Sequence, residues 1–402
     1  MKTIRILRNP IQEYAWGSRT AISDLLGNPS PSDNPQAELW MGAHPKAPSR
    51  VRYGGRWVSL AKLIEKNPKN ILGEAVAEKF DNQLPYLFKV LAAAKPLSIQ
   101  AHPNQNQAKQ GFERENRLNI PLDAPERNYK DDNHKPECIC ALTPFWGLNG
   151  FRKIGDILPL MEKIAPKRLE KEFDELLKHP DFQGLKGLFH ALITMDPERK
   201  KEVVGNAAIN ARDYSKEDPI FKWIIKLYNE YPSDIGVLSP IFLNLVCLQP
   251  GQAMFLPAGE PHAYFDGVGI ELMANSDNVL RGGLTPKHMD VPELLRVLNF
   301  DEQEINILLP RKISDYESVY DTPTEEFLLS VISVEKSMKR ANFINKSVEI
   351  LLCTDGKAKI TDFNKKKDTI MIEKGMSVII PAGVDEYSIK GNAVFYKASV
   401  PM

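Results

Sequence analysis

Neither sign of charge is in excess in this chain. Its 402 residues carry 52 Lys and Arg against 52 Asp and Glu, a formal net charge of zero. With no basic stripe, the chain lacks the electrostatic footprint of nucleic-acid binding. A small anion stays open as a ligand, because a few local cations suffice for it. Long apolar runs are missing too, which excludes a bilayer-spanning helix. The opening "MKTIRILRNP" has no apolar core of the kind a secretion signal needs, so a cytoplasmic protein is expected. Cysteine is scarce: Cys138, Cys140, Cys247 and Cys353. The spacing of the first two is wrong for a zinc knuckle, and no second pair lies nearby. All four are expected as reduced, mostly buried thiols.

What is present describes a folded enzyme-sized chain. Hydrophobic residues make up 43% and charged residues 26%, so a packed core is expected rather than disorder. The length implies two or three domains. Residues 1 to about 100 read as short strands and turns. "LPYLFKVLAAAKPLSIQAHP" looks like two strands joined near Lys95-Pro96. A polar excursion follows, with one helix around Gln105 to Asn116, and "KPECICALTPFWGLNGF" resumes strand character. From 153 to 238 the apolar residues recur at helical spacing, as in "IGDILPLMEKI" and "DPIFKWIIKLYNEYP". Charged runs such as "KRLEKEFDELLK" read as a solvated helix face. Strands return at "PIFLNLVCLQPGQAMFLPAGEPHAYF". "TPKHMDVPELLRVLNF" reads as a short helix with Pro292 near its start, and 311 to 402 are strand-like again.

One segment echoes another. At an offset of 124, Gly251 matches Gly375, and Pro257-Ala258-Gly259 matches Pro381-Ala382-Gly383. Two related β-domains are implied. His262 falls opposite Glu386, so only the first unit keeps a histidine there, and the second is expected to hold no metal. The expected organisation is therefore mainly β. Residues 1–152 plus 239–310 are expected to form the β-domain that carries His262, 153–238 a helical domain, and 311–402 a C-terminal β-domain.

The stretch "LSIQAHPN" carries the chemistry. On a strand, Ser98, Gln100 and His102 share one face, while Leu97, Ile99 and Ala101 share the other. Three polar side chains in a row on one face need water, a partner or a metal. Downstream, Gly259 can take positive φ in a tight turn and so aim His262 inward. The spacing from Gly251 through Pro257-Ala258-Gly259 to His262 resembles the second signature motif of the cupins, metal-binding jelly-roll β-barrels. The Asn usual four residues after the His is replaced here by Asp266. Gln100-x-His102 stands where the first cupin motif often has His-x-His. For a third ligand Glu137 is preferred, with Glu260 its rival. Lys135 and Glu137 share a strand face opposite to His134 and Cys138. A Gln oxygen, two His nitrogens and one carboxylate suit a catalytic Zn²⁺, with the site keeping net positive charge.

Taken together, "YAWGS", "ELWMGAHPKAPS", "LSIQAHPN", "YKDDNHKPECICALTPFWGLNGFR", "PGQAMFLPAGEPHAY" and "NSDNVLRGGLTPKH" resemble the type I phosphomannose isomerases. The matches run in order from residue 12 to about 290. The resemblance implies two jelly-roll domains with an inserted helical one, and interconversion of mannose 6-phosphate and fructose 6-phosphate. It makes Gln100, His102, Glu137 and His262 the ligands of one zinc and Arg281 an active-site cation. It points to Ser98, Lys89 and Lys287 for the phosphate.

Aldose–ketose isomerisation develops negative charge on the carbonyl oxygen of an enediol-type species. A Lewis acid and the permanently charged Arg281 both answer that need. A base must take the C2 proton. Lys135, His134, Asp277 and Glu271 are candidates, and strand alternation favours Lys135 over His134. Asn275 and Asp277 could bond sugar hydroxyls. Trp16 and Trp40 read as packing at the barrel mouth, and His44, His179, His190 and His288 as structural or exposed. The expected partner is a small sugar phosphate, with no nucleic acid and no membrane, in a monomer or weak homo-oligomer. The competing readings are an iron-dependent cupin oxygenase, which Gln100 suits poorly, and a sugar-binding cupin without turnover.

Overall fold

The computed structural model describes residues 1–164, 168–337, 341–363 and 369–402. The run read as a solvated face begins at Lys167, outside the described residues, and continues in the helix Glu170–Lys178. Two large antiparallel sheets carry the molecule, with helices from Ile154–Ile164 to Ser239–Phe242 between the strands Phe145–Phe151 and Leu243–Leu248. No helix is long and apolar enough to cross a membrane among the described residues.

Local chemistry explains where the helices start. Asn104 and Gln107 form a reciprocal capping box, each bond 2.9 Å, at the head of Gln105–Arg117. Asp181, Asp196 and Asp218 accept bonds from the first backbone N–H groups of three helices in the inserted region. Pro197 and Pro219 occupy the first turn, where no partner for an N–H is lost. These helices bury Leu188, Phe189, Phe221, Trp223 and Ile224 against Phe151, Ala263, Phe265 and Leu280 of the first sheet. The helical region therefore forms one wall of the first β-unit.

Residues 1 to 100 differ from expectation. Besides strands they contain the helices Ala21–Leu26, Leu60–Lys66, Pro68–Leu72 and Glu74–Lys79. Each is shorter than two full turns, so its apolar residues never repeat the 3.6-residue period that makes a helix readable. The sequence pattern places residues 1–152 together with 239–310 in one β-domain. In the structure Arg5–Arg8 pairs with Ser377–Ile380 and with Arg50–Tyr53, which pairs with Arg56–Ser59. These three strands extend the sheet of the C-terminal strands.

The internal echo reappears at the same offset. Ala253–Leu256 corresponds to Ser377–Ile380, and the long strands that follow begin at His262 and at Glu386. Gly251 and Gly375 both have φ +84°. Gly259 has φ +80°, and a Cβ there would come within 2.9 Å of the Val297 carbonyl oxygen. Glycine at 259 is thus required twice over.

The strand His262–Ala274 organises the first unit. Its first half pairs with Phe145–Phe151 and Ile99–Ala101, its second half with Tyr86–Ala93 and Glu137–Ala141. Register places Asn149, His262, Gln100 and Arg281 side by side across four strands. It likewise places Glu271 opposite Lys89, and Lys89 opposite Trp40. Two rows of polar side chains thus face one interior.

Candidate metal centre and cleft

His102, Glu137 and His262 are buried and converge. His102 Nε2 lies 3.3 Å from Glu137 Oε1, and His262 Nε2 lies 3.4 Å from Glu137 Oε2. All three offer ligand atoms within 4.8 Å of one another. Donors about 2.1 Å from a tetrahedral Zn²⁺ stand about 3.4 Å apart, so this spacing fits the ion.

The imidazoles are oriented by backbone carbonyls. His102 Nδ1 bonds the Asn278 carbonyl at 2.7 Å, and His262 Nδ1 bonds that of Glu260 at 3.0 Å. Each Nδ1 then carries the proton and each Nε2 turns its lone pair to the site. His102 Nε2 is otherwise an unpartnered buried atom. Burial, reinforced by the Lys135 charge, pushes the His102 pKa down to about 4, so the ring is neutral. Burial opposes the charge of Glu137, but Lys135 and the two histidines hold its pKa well below the usual range. Gln100 faces the same space, bonding Ser98 Oγ at 3.3 Å and opposing His262 in the ladder. Glu260 is not in the cluster. Its carboxyl reaches toward Gly150, and burial raises its pKa to about 7.

Around the cluster the cleft has an inner and an outer part. Lys89, Ser98, Gln100, Lys135, Tyr264 and Glu271 line the inner part. The outer part, about 430 Å³, is lined among others by Trp16, Ser98, Tyr231, Asp277, Arg281 and Lys287. Ser98 and Gln100 belong to both. Tyr231, from the end of the helical region, donates to the Pro96 carbonyl at 2.9 Å and closes the rim.

The charged groups divide by partnership. Lys89 Nζ is 2.8 Å from Glu271 and 3.8 Å from Glu38. Burial works against its charge, yet these carboxylates raise its pKa. Lys135 Nζ lies 2.9 Å from Glu137 Oε1. Asp277 is held 2.9 Å from Lys46 and 3.5 Å from the buried His44, which packs edge-on against Trp40. The Arg281 guanidinium has no carboxylate or hydrogen-bond partner among the described residues, and the Lys287 ammonium has none either. Burial lowers the pKa of both, and the charge of Arg281 lowers that of Lys287 further. Two unpaired cations side by side at a cleft rim make an anion site.

His134 faces away from the cleft, 2.6 Å from Glu326. His179, His190 and His288 are exposed. Trp40 is buried, its Nε1 donating to Glu38 at 2.6 Å. The cysteines are free thiols, with Cys247 half-buried and the rest buried.

Sequence reasoning missed the residues behind the candidate ligands. Asn278 is fully buried. Its side chain bonds the carbonyls of Asp131 and Asn133, each at 2.8 Å, and accepts from the Lys130 N–H at 2.7 Å. Asp131 in turn accepts from Ser276 Oγ and the Asp277 N–H, each at 2.8 Å. This knot fixes the carbonyl that orients His102. The segment "NSDN" marked the place, but a contact across 148 positions in sequence leaves no local pattern.

Residues 4–154 match the family model for the phosphomannose isomerase type I catalytic domain. Residues 317–398 match the one for the mannose-6-phosphate isomerase cupin domain. The chain is 44% identical over 390 residues to the mannose-6-phosphate isomerase of Escherichia coli (strain K12), covering 96% of this chain and 97% of that one. It is 35% identical over 376 residues to the Homo sapiens enzyme of the same name, covering 86% of each. Its structure resembles a zinc-bound holo form of mannose 6-phosphate isomerase, with TM-score 0.91 and 40% identity over 99% of this chain and all (100%) of that one.

Proposed function

Because the chain belongs to the type I phosphomannose isomerases, we propose roles for the side chains of its cleft in the chemistry that membership brings. The protein is a zinc-dependent aldose–ketose isomerase that interconverts mannose 6-phosphate and fructose 6-phosphate. The observation that carries this reading is the buried trio, with Glu137 3.3 Å from His102 and 3.4 Å from His262 and all three donors within 4.8 Å of one another, beside two unpaired cations.

In our reading Gln100, His102, Glu137 and His262 hold one zinc, which when bound supplies Lewis acidity toward a substrate oxygen. Arg281 stays protonated and stabilises the charge growing on the carbonyl oxygen. Lys135 moves the proton between C2 and C1. Of the base candidates, His134 is turned away and Asp277 is paired in the outer cleft, which leaves Lys135 and Glu271 in the inner part. The phosphate sits in the outer part at Ser98 and Lys287. Lys89, already matched by Glu271 and Glu38, contacts a sugar oxygen, because two carboxylates repel a phosphate. Asp277 accepts from a hydroxyl. We further propose a cytoplasmic setting, action as a monomer or weak homo-oligomer, and a C-terminal unit without a metal.

A coupled assay on mannose 6-phosphate with zinc-loaded Lys135→Ala, Glu271→Gln and Arg281→Ala tests these roles. Loss of turnover at unchanged zinc content in Lys135→Ala and Arg281→Ala, with turnover kept in Glu271→Gln, supports them. Full turnover in Lys135→Ala would transfer the proton step to Glu271.

A further inference from the structure

The segment that carries Lys135 and Glu137 has a second face, and that face rests on the C-terminal strands. Cys138 and Cys140 alternate with Glu137 and enter a core shared with Tyr320, Leu329 and Tyr396. Cys140 Sγ lies 3.2 Å from Tyr320 Oη, which donates to the Gly251 carbonyl at 2.8 Å. At the head of the segment His134 Nε2–H donates to Glu326 Oε1 at 2.6 Å. The two side chains are 28% and 12% exposed, so the bond is mostly shielded from water. The other Glu326 oxygen accepts from Thr324 Oγ1, which fixes the carboxylate. Pro136 brings no N–H, and the sheet reaches this end through the Pro136 carbonyl, 3.0 Å from the Ala274 N–H. A charge-assisted bond at the residue directly before Lys135 is therefore well placed to set where Nζ stands.

We propose that Glu326 is a positioning residue: through His134 it sets the place of Lys135 in the cleft, and so couples the C-terminal β-unit to catalysis. The proposal rests on the reading of Lys135 as the proton carrier. Because a displacement of about 1 Å in a reacting group can cost up to about a hundredfold in rate, release of this anchor shows in kcat.

The test uses the full-length, zinc-loaded protein and mannose 6-phosphate. Glu326→Ala is expected to lower kcat about tenfold, with KM within about twofold of wild type and one zinc per chain retained. Glu326→Gln keeps an oxygen that accepts the ring N–H and is expected to recover most of the loss. His134→Phe keeps the bulk without the bond and is expected to match Glu326→Ala. It decides the matter should Glu326→Ala fail to fold. Wild-type kcat in zinc-loaded Glu326→Ala, whatever its Tm, overturns the proposal. So does loss of zinc, a rise in KM alone, or a Gln variant as slow as the Ala variant. Lys135→Ala, run in parallel, separates the two claims. If it is inactive while Glu326→Ala is normal, positioning alone fails. If it is fully active, the reading of Lys135 itself has failed.

Discussion

Replacing Asn278 by alanine should weaken zinc binding although Asn278 touches no metal. Its carbonyl accepts from the His102 Nδ1–H at 2.7 Å, and its side chain fixes that carbonyl by bonding four backbone groups of residues 130–133. Asn278→Ala leaves the Lys130 N–H and the carbonyls of Asp131 and Asn133 without that partner in a fully buried place. A buried polar group left unpaired costs about 1–3 kcal/mol, and the small space created can admit water to offset part of it. A stability loss of about 2–4 kcal/mol follows. Outer partners of metal-bound histidines contribute about 10–100-fold in affinity, so zinc should bind that much more weakly. Competition with a chromogenic chelator measures the affinity, and thermal unfolding of apo and zinc-loaded protein measures the stability. The effect on zinc should persist at temperatures where the variant is fully folded. Wild-type zinc affinity in folded Asn278→Ala would refute the claim that this knot orients His102.

Further outcomes concern the ligands, the cation and pH. Gln100→Ala and His102→Ala should both lose zinc affinity and turnover, read by metal analysis and the coupled assay. Arg281→Ala should keep its zinc while kcat falls by about a hundredfold, the effect of deleting one donor to a developing oxyanion. Chelation of zinc should lower Tm, since a ligand that binds only the folded state stabilises it, and re-addition of zinc should restore it. Burial opposes the charge of Glu326, but His134 and Thr324 hold its pKa down to about 2, against 4.5 when unfolded. A depressed carboxylate stabilises the fold fully above its unfolded pKa and loses that contribution as pH falls toward the folded value. Urea unfolding between about pH 6, above both pKa values, and about pH 2 should therefore show a shallower acid loss in Glu326→Gln than in wild type; equal slopes would contradict this pair's contribution.

Much of the site could be read from sequence because strands impose a period of two. Ser98, Gln100 and His102 share a face, and the opposite face carries Ile99 and Ala101 into the core with the helices. Glycine made the echo legible: the turns at Gly251 and Gly375 have one backbone conformation and lead into matching strands. The helices between residues 60 and 79 escaped because each is about one to two turns long. The pairing of Arg5–Arg8 with Ser377–Ile380 escaped because strand partners so distant leave no local signal. The same holds for Asn278 behind His102 and Glu326 behind His134. Alternation shows which way a side chain points, but not what waits on the far side.

The central claim is that Gln100, His102, Glu137 and His262 close upon one divalent ion. Anomalous diffraction at the zinc absorption edge, on crystals of active enzyme, tests it directly. The account predicts one peak per chain, about 2.0–2.2 Å from His102 Nε2, His262 Nε2, a Glu137 oxygen and the Gln100 side-chain oxygen. A peak elsewhere, or active enzyme with no peak between these residues, would contradict it.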